Sequence, residues 1–227
     1  MRIRFKPWAR PELEASKFYI DNPQDYKKKW KTLFENKAPF HIELGCGKGS
    51  FIANLAVKNK NINYLAIDLV DAMLGLAKRN IEEIYKTENQ EINNIYLTRF
   101  DIERIFMILD KTDKVEKIYI NFCNPWPRGK HHKKRLTHTK QLEKYKEILV
   151  DGGQIYFKTD DDNLFNDSLG YFKESGFKII KQTYDLENEE NFWENIETEH
   201  EKMFKDQGIK IKALIACFWG RRKKTVE

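Results

Sequence analysis

Phe40-His41-Ile42-Glu43-Leu44-Gly45-Cys46-Gly47-Lys48-Gly49-Ser50 runs from a short apolar stretch through three alternate glycines into the segment Ser50 to Lys58. Phe40 to Leu44 reads as a strand, and Phe51, Ile52, Leu55 and Ala56 recur at the spacing of one helix face. Glycines at alternate positions between the two make a turn that residues bearing a Cβ resist, and they let the backbone pass close to a ligand. The unit is therefore strand, tight turn, helix.

The same unit repeats downstream. Strand Tyr64 to Ile67 precedes helix Ala72 to Tyr85, strand Ile95 to Thr98 precedes a helix near Ile102 to Leu109, and strand Lys117 to Phe122 precedes helix Thr137 to Leu149. Asp151-Gly152-Gly153 reads as a helix stop, followed by strand Gln154 to Lys158, a helix around Leu164 to Ser175 and a Gly176 cap. Lys178 to Thr183 and Lys210 to Phe218 read as a final strand pair, separated by an acidic, helix-prone insert from Leu186 to Phe204. Such alternation predicts an α/β fold: a doubly wound, mostly parallel seven-stranded sheet, Rossmann-like, with helices on both faces and an antiparallel last strand. Ahead of it, residues 1–36 read as a basic, aromatic arm in which Asn22-Pro23-Gln24-Asp25 starts a helix over Tyr26 to Phe34. The whole of 1–227 is expected to form one domain.

The glycine loop admits three cofactor classes, and its neighbours separate them. A triphosphate loop ends in Gly-Lys-Ser or Gly-Lys-Thr, whereas Lys48 is followed by Gly49. A dinucleotide fingerprint spaces its glycines differently, and Glu43 beside a pyrophosphate would repel it. The sulfonium and ammonium of S-adenosyl-L-methionine would instead be attracted. Asp68, ending the second strand, is placed for ribose hydroxyls, and Asp101, after the third, for an adenine amino group. Helix capping explains Asp68 and Asp101 equally well when each is taken alone.

Asn121-Phe122-Cys123-Asn124-Pro125-Trp126-Pro127-Arg128 cannot continue a sheet, because both prolines lack a donor and restrict the residues before them. A stiff loop follows, presenting Asn124 for hydrogen bonding and Trp126 for stacking, then the basic run Gly129 to Arg135. The simpler reading is a proline-ended strand followed by a solvated charge run.

Composition bounds the partners. The 227 residues carry 41 Lys+Arg against 35 Asp+Glu, a net charge of +6. The basic residues cluster at Arg2 to Lys6, Lys27 to Lys31, Arg128 to Arg135 and Arg221 to Lys224, interleaved with aromatics, which favours an anionic polymer. Cys46, Cys123 and Cys217 lack metal or redox spacing and are expected to be reduced. His131, His132 and His138 lie in a cationic run without acidic or thiolate partners, so no metal is expected. No stretch approaches the ~18 apolar residues of a membrane span, and a cytoplasmic protein is expected.

With these residues in hand, the chain resembles the bacterial tRNA (guanine-N7-)-methyltransferase family along nearly its whole length. The resemblance rests on Lys6-Pro7-Trp8, Asn22-Pro23 with Tyr26 and Trp30, and His41 to Gly49. It continues through Asn121 to Pro127, His132 to His138, Phe157-Lys158-Thr159-Asp160 and Thr198-Glu199-His200-Glu201. It implies methyl transfer from S-adenosyl-L-methionine to N7 of a guanosine in the variable loop of tRNA. Glu43, Gly45, Gly47, Asp68, Asp101 and Asn124 would contact the cofactor, with Asn124 at the catalytic position. Arg128, Asp160, Thr198, Glu199, His200 and Glu201 would bind the guanosine, and Lys130, Lys133, Lys134, Arg135 and Lys158 the tRNA phosphates.

Three positions depart from the family pattern: Asn124 stands for an aspartate, Arg128 for a lysine and His200 for a tyrosine. Two alternatives stay open at this point, an exocyclic amino nucleic-acid methyltransferase and a catalytically silent tRNA-binding homologue. A monomer and a homodimer are both compatible with the sequence.

Overall fold

The computed structural model describes residues 4–189, 192 and 196–220. Arg2, the run Arg221 to Lys224 and part of the acidic insert lie outside the described residues. Eight strands form one sheet: β1 (Tyr19–Ile20), β2 (Phe40–Leu44), β3 (Asn63–Asp68), β4 (Ile95–Arg99), β5 (Val115–Asn121), β6 (Leu149–Thr159), β7 (Lys178–Thr183) and β8 (Lys212–Cys217). Their order across the sheet is β1-β4-β3-β2-β5-β6-β8-β7, with β8 antiparallel to both neighbours and the other pairs parallel. The strand beyond the predicted seven is β1, two residues of the N-terminal arm that pair with Leu97 and Thr98 of β4. A two-residue strand has no periodicity to read.

Each strand sorts its side chains by period two. Ile42, Leu44, Leu65, Ile67, Ile118, Ile120 and Phe157 face one layer, packed on α4 (Thr139–Ile148) and α5 (Asp162–Glu174) through Leu142, Tyr145, Phe165 and Phe172. Tyr64, Ala66 and Tyr119 face the other, packed on α2 (Ser50–Lys58) and α3 (Asp71–Thr87) through Ile52, Leu55, Leu74 and Ile81. Glu43, Asn121 and Lys158 are in phase with the second set and lie on the α2 face. Burying the leucine-sized side chains of these layers contributes about 1.5 to 3 kcal/mol each.

Three local expectations shift. The arm forms α1 (Ala9–Glu14), while residues 23–33 make two single 3-10 turns broken by Lys28 at φ 71°, not one helix. Trp30 is fully buried there, its Nε1 donating to the Ile108 carbonyl at 2.7 Å. Residues 102–107 are 3-10 and kinked at Arg104. Strand β6 begins at Leu149, through the expected Gly152-Gly153 stop, because Phe218 pairs with both glycines by backbone bonds of 2.8 and 2.9 Å.

Candidate active site

Strand order reverses between β2 and β5: β3 and β4 extend one way, β6, β8 and β7 the other. In open parallel sheets ligands bind at the carboxyl ends of the strands at this reversal. A cavity of about 740 Å³ lies there, reached by Glu43 and the glycine loop after β2, Asp68 after β3, Asp101 after β4, and Asn121 to Asn124 with Trp126 after β5. Its size suits a ligand of several hundred daltons.

The glycine loop holds its shape by positive φ at Gly45, Gly47 and Gly49 (77°, 55° and 71°). A Cβ on Gly49 would lie 2.7 Å from the Ala77 Cβ, so that glycine also sets how closely α2 approaches α3. Asp68 accepts from the Gly47 N–H at 2.9 Å and the Val70 N–H at 3.0 Å, tying the loop to β3 while lining the cavity. Asp101 also does two things: it caps the next turn through the Glu103 N–H at 2.9 Å and lines the cavity.

Glu43 is buried. One carboxylate oxygen, Oε1, accepts from Asn121 Nδ2 at 2.8 Å, whereas Oε2 has no hydrogen-bond partner among the described residues. Burial pushes the Glu43 carboxyl up to about 8, against the Asn121 hydrogen bond and the Lys158 charge, which favour ionisation. Raised this far, the carboxyl is largely protonated at neutral pH, and a cation arriving at Oε2 would favour its ionised form. Burial also raises Asp68. These residues fit S-adenosyl-L-methionine: an acidic point for its cationic end, a Cβ-free loop for close approach, and carboxylates at the next two strand ends.

The proline loop is strained. Phe122 and Trp126, both non-glycine, sit at φ 49° and 43°, at a cost on the order of 1 to 3 kcal/mol each. What holds it is legible: Asn124 Oδ1 accepts from the Trp126 N–H at 2.9 Å, and Arg135 Nε donates to the Pro125 carbonyl at 2.6 Å. Asn124 is exposed at the cavity, and Lys134 lies over the Trp126 ring, 4.9 Å from its centroid.

The far wall is Thr198, Glu199 and His200, at the start of α6 (Glu199–Lys205). His200 stacks on Phe122 with centroids 5.8 Å apart, and Lys48 reaches Glu199 at 2.5 Å across the cavity. Asp160 follows β6 and lies outside the cavity lining, half-buried and with its carboxyl raised by that burial; Asp161 caps α5 through the Leu164 N–H at 2.6 Å, and Asp162 pairs with Lys212 at 2.8 Å.

Three expectations are corrected. Lys158, expected at a tRNA phosphate, is fully buried and paired at 2.6 Å with Glu201, so neither it nor Glu201 faces RNA or a base. Glu201 also closes a capping box with Thr198. Arg135 is 1% exposed, bound to Asp167 at 2.5 Å and to Pro125, so it braces the proline loop from behind. Lys130, Lys133 and Arg128 are exposed outside the cavity, and Lys134 is exposed at its edge. The reading from sequence missed Asn121, Lys48, Phe51, Phe122 and Met73 in the lining. Only Asn121 had a signal, its phase with Tyr119 along β5, and its meeting with Glu43 depends on register.

Among the described residues no group of His, Cys, Asp and Glu is arranged to hold a metal, and no helix is long and apolar enough to cross a membrane. His138 caps α4, accepting from the Lys140 N–H at 3.1 Å, and His132 lies 3.0 Å from Arg135 Nη2. The three cysteines are free thiols.

Solved structures with the same fold include the 16S rRNA methyltransferase KamB (TM-score 0.61, 13% identity, covering 85% of this chain and 93% of that one). A 16S rRNA (adenine(1408)-N(1))-methyltransferase from Catenulisporales acidiphilia is similar at TM-score 0.59 and 12% identity, over 89% of this chain and 94% of that one. The family model described as "Putative methyltransferase" matches residues 37–214. Curated relatives bearing the name tRNA (guanine-N(7)-)-methyltransferase come from Clostridium botulinum (57% identical, 95% of this chain, 98% of the relative) and Ruminiclostridium cellulolyticum (57%, 95% and 92%). One from Acetivibrio thermocellus is 50% identical over 95% and 99%. Likeness of this extent, spanning the glycine loop, the proline loop and the α6 wall together, means that this chain belongs to the tRNA (guanine-N(7)-)-methyltransferase family.

Proposed function

We propose that this protein transfers the methyl group of S-adenosyl-L-methionine to N7 of a guanosine in the tRNA variable loop, the chain 1–227 working as one methyltransferase domain. The observation that carries the reading is the meeting, in one cavity, of the unpartnered Glu43 Oε2 with the rigid Asn124-Pro125-Trp126 loop. Glu43 takes the cofactor's ammonium, Asp68 its ribose, Asp101 its adenine amine, and Gly45 and Gly47 give the backbone close approach.

The bound cofactor supplies an electrophilic methyl: the sulfur–carbon bond breaks as the N7–carbon bond forms, and positive charge passes from sulfur to the purine. Guanine N7 has a free in-plane lone pair, so no proton leaves before attack and alignment carries most of the catalysis. Asn124 accepts a hydrogen bond at the cavity without a full charge, which explains how the site tolerates the loss of the family aspartate. Asp160 reads the guanine N1–H and N2–H₂ edge, and the wall Thr198 to His200 covers the base. Lys130, Lys133 and Lys134 lie along the tRNA backbone, and Arg128, expected at the guanosine but exposed outside the cavity, is assigned there with them.

The test is direct. Purified protein is incubated with methyl-labelled cofactor and unmodified tRNA, and the product nucleoside is identified and mapped. Label in 7-methylguanosine of the variable loop is expected; label on an exocyclic amine, or cofactor binding without transfer, overturns the reading.

A further inference from the structure

Glu43, Asn121 and Lys158 come from three adjacent strands, β2, β5 and β6, and share the α2 face at their carboxyl ends. Asn121 pairs with Lys158 in the β5–β6 register and donates to Glu43 Oε1 at 2.8 Å. Beyond Lys158 the row continues off the sheet: its Nζ donates to Glu201 Oε2 at 2.6 Å and to the Ile196 carbonyl at 3.0 Å. Glu201 and Thr198 cap each other at the start of α6, whose first residues wall the cavity. Lys158 Nζ also lies 5.1 Å from the centroid of Phe51, a residue of the cavity lining. One fully buried ammonium thus stands between the carboxylate that meets the cofactor and the helix that covers the substrate.

We infer that Lys158 is a positioning residue for methyl transfer: it anchors the Thr198 to His200 wall through Glu201 and Ile196, and its charge holds Glu43 ready for a cation. The inference rests on the reading that the cavity takes S-adenosyl-L-methionine. Such a buried pair is an expensive device, since two charges leave water and their attraction only partly compensates. An apolar contact would fasten α6 as well; a charge is needed only if something nearby responds to it. Glu43 is that group. The other titratable groups acting on it are Asp68 from β3, which opposes its ionisation, and Cys46 in the glycine loop, whose thiol burial raises well above its usual range. Among the described residues, the carboxylates of Glu201, Glu43 and Glu197 favour the charged form of Lys158, against its burial.

The test uses Lys158→Met and, because the first variant leaves the buried Glu201 carboxylate without its Lys158 partner, Lys158→Met/Glu201→Met, which removes both charges at similar volume. S-adenosyl-L-methionine affinity is measured by calorimetry across pH 6 to 9, and unmodified tRNA affinity across a salt series. Both variants are expected to bind the cofactor about three- to tenfold more weakly at pH 7. Their pH profiles should shift upward, so that the deficit shrinks at high pH, while the tRNA salt slope stays that of wild type.

Cofactor profiles that superimpose on wild type overturn the inference, as does a salt slope reduced by about one unit, the mark of a lost phosphate contact. Wild-type protein that binds no cofactor at any pH overturns the functional reading itself, and this inference with it.

Discussion

Replacing Glu43 with glutamine should make the cofactor-free protein more stable and the enzyme useless. The substitution keeps shape: a glutamine Oε1 still accepts from Asn121, and its amide NH₂ replaces Oε2, the atom without a partner. It removes the need to hold a carboxyl neutral in a buried site. That carboxyl is raised from 4.5 to about 8, so between those values the folded protein binds a proton that the unfolded chain releases. By linkage, stability from this group is full below pH 4.5, falls as pH rises, and levels above about 8.

At pH 7 the accumulated cost is up to about 3 kcal/mol, or roughly 6 to 12 °C in Tm for a domain of this size. Glutamine avoids it. Thermal melts of the cofactor-free proteins at pH 4.5, 7 and 8.5 are expected to show Tm values that nearly coincide in acid and separate towards neutrality, the variant higher. S-adenosyl-L-methionine should raise the Tm of wild type only. A Tm gap that does not widen with pH, or a variant that binds the cofactor as tightly as wild type, would refute the reasoning.

Asn124→Asp keeps the bond to the Trp126 N–H and adds a charge at the cavity; kcat/KM in a tRNA methylation assay should hold or rise by up to about tenfold, and a large loss would mean that the amide N–H₂ is used. Asp160→Ala should lower kcat/KM at least about thirtyfold, while Asp162→Ala, which removes an exposed carboxylate and leaves the buried Lys212 its bond to the Asp160 carbonyl, changes it little; equal effects would reduce the acidic cluster to a helix start. Arg135→Ala removes a buried guanidinium from the partly exposed Asp167 and frees the Pro125 carbonyl, so melts should show a loss of about 1 to 3 kcal/mol with the tRNA salt slope unchanged. Lys130→Ala/Lys133→Ala should do the reverse, lowering the slope by about two units with kcat intact. A slope change in Arg135→Ala would return that residue to the RNA surface.

Much of the site was legible because its elements are local. Glu43 before the glycines, Asp68 and Asp101 after successive strands, and the proline loop after Asn121 each announce themselves within a few residues, and each lines one cavity. Lys158 and Arg135 misled for the opposite reason. A lysine at a strand end and an arginine ending a basic run look like phosphate ligands when only neighbours in sequence are counted. Their partners, Glu201, Asp167 and the Pro125 carbonyl, lie far enough along the chain that only folding brings them near.

The sequence by itself determined the alternation of strand and helix, and with it the mostly parallel sheet and the glycine loop after its first long strand. Period two and period 3.6 are properties of consecutive residues, as is the effect of glycine and proline on φ. Only the tertiary structure decided which charges face solvent. It set β5 between β2 and β6, and so joined Glu43 to Asn121 and Lys158 in one row. It also gave Lys158 a buried carboxylate in place of a phosphate. Burial and register arise from pairings across the chain, and no local pattern carries them.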